Sequence, residues 1–108
     1  MDTKIELTIT DGVATVTLDN PAKLNAINAQ MWRELRAAMA RIAAADDDVR
    51  CVILRGAGEE AFAAGGDIEE FLTVRATVDD ALHYHDELVA DALEAIRACP
   101  VPTIAAIR

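Results

Sequence analysis

The 108-residue chain is poor in aromatic residues and in basic charge, and it has no long apolar run. It holds one tryptophan, one tyrosine and two phenylalanines but 22 alanines, so we expect a core of small and aliphatic side chains. No stretch reaches the roughly 18 consecutive apolar residues of a membrane helix, and we expect no membrane partner. Ten basic against nineteen acidic residues give a net charge of −9, which repels phosphate backbones and argues against nucleic acid as a partner.

Cysteine is equally scarce. Cys51 and Cys99 lie in apolar contexts without paired spacing, which is typical of free thiols and excludes a disulfide framework. Residues 1–6 show no basic segment followed by an apolar one, so no signal peptide is expected. Together these features predict a protein of the reducing cytoplasm.

The first half of the chain predicts a β-hairpin followed by a helix. Apolar and polar residues alternate over residues 4–10, which is the period of a half-buried strand. Asp11-Gly12 is a strong hairpin-turn signal, and residues 13–18 form the predicted return strand. Asn28 is the predicted N-cap of a helix that ends near Ala45. The predicted core face of that helix consists of Met31, Leu35, Ala38, Met39 and Ile42.

The second half predicts strands that alternate with helices. Residues 49–54 are nearly all apolar, as expected of a parallel strand covered on both faces. Thr77 is a predicted cap of a five-turn helix whose apolar stripe includes Leu82 and Leu93. Residues 103–107 predict another buried strand. The alternation indicates an α/β fold with a parallel sheet and right-handed crossovers.

The segment best suited to chemistry is the loop at residues 55–66, which leads into a short amphipathic turn. Gly65 and Gly66 lie at the junction, where the absence of a Cβ lets the backbone approach a ligand closely. The first amides of a helix have no internal partner and carry partial positive charge. The Gly66 N–H is therefore a candidate donor to a developing oxyanion, an interaction worth roughly 3–4 kcal/mol of transition-state stabilisation. The alternative is that both glycines only form a tight turn capped by Asp67.

Four segments of the chain resemble one known family, and the first of them is residues 61–68, Ala-Phe-Ala-Ala-Gly-Gly-Asp-Ile. They resemble the first signature of the crotonase superfamily, the enoyl-CoA hydratase/isomerase family. Residues 20–28, Asn-Pro-Ala-Lys-Leu-Asn-Ala-Ile-Asn, are similar to the loop before the first helix of that family. Residues 51–56 resemble its strand leading to the oxyanion loop, and residues 100–107 resemble the strand before its second signature. The four segments follow the order of the family along the chain.

The resemblance implies the N-terminal part of a crotonase-like ββα spiral fold, an α/β architecture with an initial β-hairpin and then parallel strands alternating with helices. Residues 1–108 would form part of a single domain and stop before the second oxyanion-hole motif. The acid/base carboxylates of the hydratases also lie further along the chain in this family. We therefore expect the 108-residue piece alone to be inactive.

The resemblance also implies which residues bind substrate. The position of Gly66 supplies one of two backbone N–H groups that hold the acyl-thioester oxygen. The position of Ala64 lies beside the adenine end of coenzyme A. Lys23 belongs to a stretch that lines the pantetheine and nucleotide channel, and its side chain either pairs with a CoA phosphate or is solvated. The implied binding residues are Ala22, Lys23, Leu24, Ala64, Gly65, Gly66, Asp67 and Ile68.

The implied function is that of an enoyl-CoA hydratase, a lyase that adds water to a 2-enoyl-CoA in fatty acid metabolism. The substrate is an acyl-CoA thioester, and coenzyme A enters only as part of it, with no separate cofactor. No metal is expected, because His83 and His85 are two residues apart on a predicted helix and point in different directions. Family members form trimers and hexamers, which we expect of the full-length protein. The alternatives are an enoyl-CoA isomerase, another crotonase-type reaction, or a non-catalytic piece that binds CoA or a complementing chain.

Overall fold

A computed structural model of the protein describes residues 4–45, 48–65 and 78–107. The N-terminal elements are strands β1 (Lys4–Thr10) and β2 (Val13–Asp19), a 3-10 helix (Pro21–Lys23), helix α1 (Ala29–Ala44) and strand β3 (Cys51–Gly56). The later elements are α2 (Val78–His83), a π-helix (Tyr84–Val89), α3 (Ala90–Arg97) and strand β4 (Thr103–Ala106).

The strands of the described residues form one sheet in the order β1-β2-β3-β4. β1 and β2 are antiparallel, whereas β3 pairs parallel with β2, and β4 pairs parallel with β3. Asp11 and Gly12 connect β1 to β2 with φ angles of 53° and 82°. Positive φ at both central residues is what a type I′ hairpin turn requires. The predicted hairpin and the predicted parallel strands are confirmed.

Helix α1 packs on the sheet through the face that the sequence predicts. Its N-terminus is capped by Asn28, whose side-chain oxygen accepts a hydrogen bond from the Met31 N–H at 2.8 Å. The buried residues of α1 are Ala29, Met31, Leu35, Ala38, Met39 and Ile42. The larger of these side chains share apolar clusters with the buried residues of β2, and burial of each large aliphatic side chain contributes about 1.5–3 kcal/mol.

The strand predicted at residues 49–54 is shifted by two residues along the chain and is observed at Cys51–Gly56. The Arg50 N–H donates to the Gly12 carbonyl at 2.7 Å. This bond ties the segment before β3 to the hairpin turn, so the parallel ladder begins only at the pair of Val13 and Cys51.

The predicted five-turn helix is interrupted by the π-helix between α2 and α3. Leu82 and Leu93, which were predicted to lie on one buried stripe, are 53% and 51% exposed. A π-helix closes its hydrogen bonds over one more residue than an α-helix, which shifts the angular phase of the residues that follow it. Leu93 follows the π-helix, so a stripe continued to it at regular α-helical spacing does not remain on one face. Leu82 precedes the π-helix, and there the buried side chain is that of Tyr84.

The predicted final strand is present as β4, but the expectation that it is buried was wrong. Ile104 is 56% exposed, and Ala105 and Ala106 are also exposed. β4 is an edge strand of the described sheet and pairs on one side only, with β3. The predicted amphipathic turn at residues 67–72 and the predicted cap at Thr77 lie outside the described residues. Within the described ranges, no helix combines the length and the apolarity needed to cross a bilayer.

Candidate functional site

Two loops meet beyond the carboxyl ends of β2 and β3. The loop at residues 20–28 follows β2, and the loop at residues 57–65 follows β3. The Ala57 N–H donates to the Leu18 carbonyl at 2.8 Å, which continues the contact between the two strands into the loops. A small open cleft lies between the loops. It is lined by Pro21, Leu24, Asn25, Ala57, Gly58, Glu59, Glu60 and Ala61.

The loop after β2 is folded back on Asn20. The Asn20 carbonyl accepts hydrogen bonds from the Lys23 N–H at 3.0 Å and from the Asn25 N–H at 2.8 Å. Leu24 and Asn25 both have positive φ angles, 53° and 60°. Asparagine adopts this left-handed conformation more readily than most residues, which explains how a turn without glycine forms at Asn25.

The side chain of Asn25 joins the two loops. It is 1% exposed, and its Oδ1 accepts from the Asn20 N–H at 2.9 Å. Its Nδ2 donates to the carbonyl oxygens of Ala57 at 3.0 Å and of Ala61 at 2.9 Å. Both donor hydrogens of the amide are thus used in a buried site. The Asn20 side chain, itself 3% exposed, donates to the Ala26 carbonyl at 2.8 Å, so the amide pair forms a connected network.

The loop after β3 folds closely over the end of that strand. A Cβ at Gly56 would overlap the carbonyl oxygens of Ala61 and Phe62, and it would lie 2.7 Å from the Asn25 Nδ2. Real Cβ atoms do not approach other heavy atoms so closely, so glycine is required at this position. The close approach brings the Ala61 carbonyl within reach of Asn25.

Gly65 ends the described part of this loop. It is exposed and has a φ of +85°, a conformation that glycine adopts without strain. Its carbonyl accepts a hydrogen bond from the Ile27 N–H at 2.7 Å. This bond fixes the end of the second loop against the first loop.

The residues that the resemblance implies for substrate binding fall into three groups. Ala22 and Lys23 lie on the 3-10 helix, and Leu24, 48% exposed, follows it and lines the cleft. Ala64 and Gly65 are exposed at the end of the second loop, which the Ile27 bond joins to the first. The third group lies outside the described residues and consists of Gly66, Asp67 and Ile68.

Asn20 and Asn25 are the residues of this region whose roles the sequence analysis missed. Their partners are backbone atoms, two of them 32 and 36 residues further along the chain, and backbone atoms leave no signal in a sequence. The sequence did contain one signal for these roles, because two amide side chains occur five residues apart in a loop that contains proline and apolar residues. Such side chains are often buried in order to bond the backbone.

Ionisable groups around the cleft are exposed. Glu59 and Glu60 line it as exposed acids. A resolved pKa shift occurs elsewhere, on α3, where hydrogen bonds from Arg97 lower the pKa of the Glu94 carboxyl. Among residues 4–45, 48–65 and 78–107, no three His, Cys, Asp or Glu side chains are grouped so that they could hold a metal ion.

The sequence profile of the enoyl-CoA hydratase/isomerase family matches residues 8–108. The chain therefore belongs to this family, and its β-hairpin, parallel strands and helices form part of a crotonase-type fold. A crystal structure of an enoyl-CoA hydratase/carnithine racemase from Magnetospirillum magneticum superposes with a TM-score of 0.91 at 50% identity. That match covers 99% of this chain and 39% of the other.

Two curated relatives show how the reaction varies within this similarity. A probable enoyl-CoA hydratase from Rhodobacter capsulatus is 36% identical over 103 residues, which is 95% of this chain and 37% of the relative. A carboxymethylproline synthase from Pectobacterium carotovorum is also 36% identical, over 90% of this chain and 38% of its own length. The chain thus spans less than two-fifths of the length of these relatives.

Proposed function

We propose that residues 1–108 form the N-terminal part of a single crotonase-type domain in an enoyl-CoA hydratase. This enzyme would be a lyase that adds water to the double bond of a 2-enoyl-CoA. The family profile and the hydratase relatives support the proposal. The second oxyanion-hole motif and the acid/base carboxylates are proposed to lie beyond residue 108, so the 108-residue piece alone would be inactive.

The observation that carries this proposal is the hydrogen bond from the Ile27 N–H to the Gly65 carbonyl. It holds the backbone directly before Gly66, in a loop that folds over the end of β3. We propose that the Gly66 N–H donates to the oxygen of the thioester. As the oxygen of water bonds to C3 of the substrate, water gives up a proton to a carboxylate proposed to lie beyond residue 108, and the π electron pair of the C2–C3 double bond moves through the carbonyl onto the thioester oxygen. The resulting enolate then takes up a proton at C2, which yields the 3-hydroxyacyl-CoA. A fixed amide stabilises the charge at the point where it develops.

The same geometry suggests how the substrate is held. Leu24 offers an apolar surface at the cleft, while Ala64 and Gly65 present exposed backbone without bulky side chains. These residues, with Ala22, Lys23, Asp67 and Ile68, are proposed to contact coenzyme A, which enters as part of the substrate without a separate cofactor. The Lys23 ammonium is proposed to pair with a CoA phosphate. We further propose that the full-length enzyme is cytoplasmic and forms a homotrimer or homohexamer.

The proposal is tested by the hydration of crotonyl-CoA. The full-length protein should catalyse the reaction, and the 108-residue piece should not. Gly66→Pro removes the proposed donor N–H and should lower kcat by about 10²- to 10³-fold. Gly66→Ala retains the N–H and serves as the matched control, with activity close to that of the parent. Circular dichroism must show that the proline variant is folded. Unchanged kcat in a folded Gly66→Pro variant would refute the proposed role of this amide.

One relative is a carboxymethylproline synthase, so the second candidate function is a different reaction carried out on the same fold. A 3-enoyl-CoA substrate separates isomerisation from hydration in a parallel assay. Isomerisation without hydration would replace the hydratase assignment but keep the role of Gly66. The absence of both reactions, with no binding of acyl-CoA by the full-length protein, would contradict the enzyme proposal altogether.

A further inference from the structure

The Asn25 amide makes more bonds than its own turn requires. Closure of the loop after β2 uses the backbone of Asn25, through the N–H that donates to the Asn20 carbonyl. The side chain makes three further hydrogen bonds, and two of these reach the loop after β3. A residue that only shaped its own turn would not need donors directed at carbonyls 32 and 36 residues away.

We propose that Asn25 is a positioning residue. It sets the distance between the loop at residues 57–65 and the end of β3, and thereby the position of the Gly66 N–H. This inference rests on the proposed function of Gly66. Asn25 holds Ala57 and Ala61, and the Ile27 N–H holds Gly65. Three points along the loop are therefore anchored to the loop after β2, and the last of them immediately precedes the proposed donor.

Burial shows that Asn25 acts through the backbone and not on the substrate. The residue is 1% exposed, and both amide hydrogens bond to protein carbonyls. Although Asn25 borders the cleft, its 1% exposure leaves almost no surface for contact with a thioester. The middle of the loop, at residues 58–60, is exposed, so the buried bonds at Ala57 and Ala61 brace a segment that otherwise faces solvent.

The packing at Gly56 leaves little freedom for the loop to lie at another distance from the end of β3. The carbonyls of Ala61 and Phe62 occupy the space where another residue would carry its Cβ. If Asn25 ceases to donate, these carbonyls lose their partner while remaining close to the strand, and the loop is expected to lift toward solvent. An amide displaced by about 1 Å from an oxyanion can cost about 100-fold in rate.

The test uses two substitutions of Asn25 in the full-length protein. Asn25→Asp keeps the size of the side chain and its acceptor for the Asn20 N–H, but it places a carboxylate oxygen against the Ala57 and Ala61 carbonyls. Asn25→Gly tolerates the φ of 60° and removes all three side-chain bonds. The matched control is Asn28→Asp, which adds the same charge three residues later and keeps an oxygen to cap the Met31 N–H.

The readouts separate positioning from simple destabilisation. We expect both Asn25 variants to lose about 10- to 100-fold in kcat while KM changes less than about threefold. Butyryl-CoA labelled with ¹³C at its carbonyl reports the oxyanion hole directly, because hydrogen bonds lower its C=O stretching frequency. In the parent this band should shift down on binding, and in folded Asn25 variants most of that shift should disappear. The Asn28→Asp control should retain it.

The remaining outcomes would refute either the positioning role of Asn25 or the proposed function itself. A normal band shift and a normal kcat in folded Asn25→Gly and Asn25→Asp would refute the positioning role and leave the proposed function intact. A rise in KM with unchanged kcat would also refute it, because the residue would then act on ground-state binding. No band shift in the parent itself would contradict the proposed function, and the inference about Asn25 would fail with it.

Discussion

The Trp32 indole Nε1–H donates a hydrogen bond to the Tyr84 hydroxyl at 3.0 Å, which joins α1 to the start of the π-helix across 52 residues. Tyr84 is 2% exposed, so the bond is formed by a buried hydroxyl. Trp32 also packs against both apolar clusters of the core. The pair therefore fixes the helical segment at residues 78–97 to the layer that α1 forms on the sheet.

A double-mutant cycle of Trp32→Phe and Tyr84→Phe should measure this link. Each single substitution removes one partner of this part-buried hydrogen bond, and loss of the bond should reduce the free energy of unfolding by about 0.5–1.5 kcal/mol. The coupling energy should be about 0.5–1.5 kcal/mol. Urea unfolding of the four proteins gives the values. Fully additive losses would show that the two side chains contribute independently.

Leu35 tests the core face of α1 that the sequence predicted. It is 2% exposed and belongs to the larger apolar cluster. Leu35→Ala should cost about 2–5 kcal/mol of unfolding free energy, through lost burial and the cavity left behind. Leu35→Met conserves volume and should cost less than about 1.5 kcal/mol. Equal losses in the two variants, measured by urea unfolding, would contradict tight packing at this position.

Local signals were sufficient for the N-terminal half of the fold. Asp11-Gly12 specified the hairpin, because its two positive φ angles are a local property of the turn. The side-chain oxygen of Asn28 and the spacing of the apolar residues likewise specified α1 and its buried face. Each of these features depends on residues within a few positions, so periodicity and capping could predict it.

Features that depend on distant atoms could not be predicted in this way. The π-helix shifts the phase of the predicted apolar stripe before it reaches Leu93, and apolar spacing alone does not signal such a shift. The roles of Asn20 and Asn25 depend on how a later loop folds over Gly56. The family resemblance identified the loop sequences and their proposed ligands, but not the hydrogen bonds that hold the two loops together.

Glu94 and Arg97 provide a pH-dependent prediction on the exposed face of α3. The Arg97 Nε donates to the Glu94 carboxylate at 2.7 Å, and this hydrogen bonding lowers the pKa of Glu94 in the folded protein. A lowered folded-state pKa means that the pair stabilises the fold above the unfolded-state pKa. That contribution is lost as the pH falls through the folded-state pKa.

An NMR titration of the Glu94 side-chain carboxyl carbon checks this prediction. The midpoint should lie below that of glutamate in the unfolded chain. In Arg97→Gln, which removes the charge and keeps a polar side chain, the midpoint should move up. A midpoint that is the same with and without Arg97 would show that the ion pair is not populated in solution.

Gly56 and Gly58 lie two residues apart but should respond to alanine for different reasons. Gly56→Ala forces a Cβ into the carbonyls of Ala61 and Phe62, and its neighbours are backbone atoms that yield poorly. We expect a loss of about 1–3 kcal/mol in unfolding free energy, as for other overpacked sites. Gly58 has open space around its Cβ position but a φ of +74°, so Gly58→Ala should cost about 1–2 kcal/mol through backbone strain alone.

Because the two losses overlap in size, the decisive measurement is hydrogen exchange at the Asn25 side-chain amide. In the parent both of its hydrogens bond to carbonyls and should be protected from exchange. Gly56→Ala displaces the Ala61 carbonyl, so that protection should fall even where the protein remains folded. Gly58→Ala strains the chain between Ala57 and Ala61 without filling the space beside Asn25, so protection should persist. Retained protection in Gly56→Ala would mean that the loop accommodates a methyl group, and that its close approach to β3 does not depend on glycine.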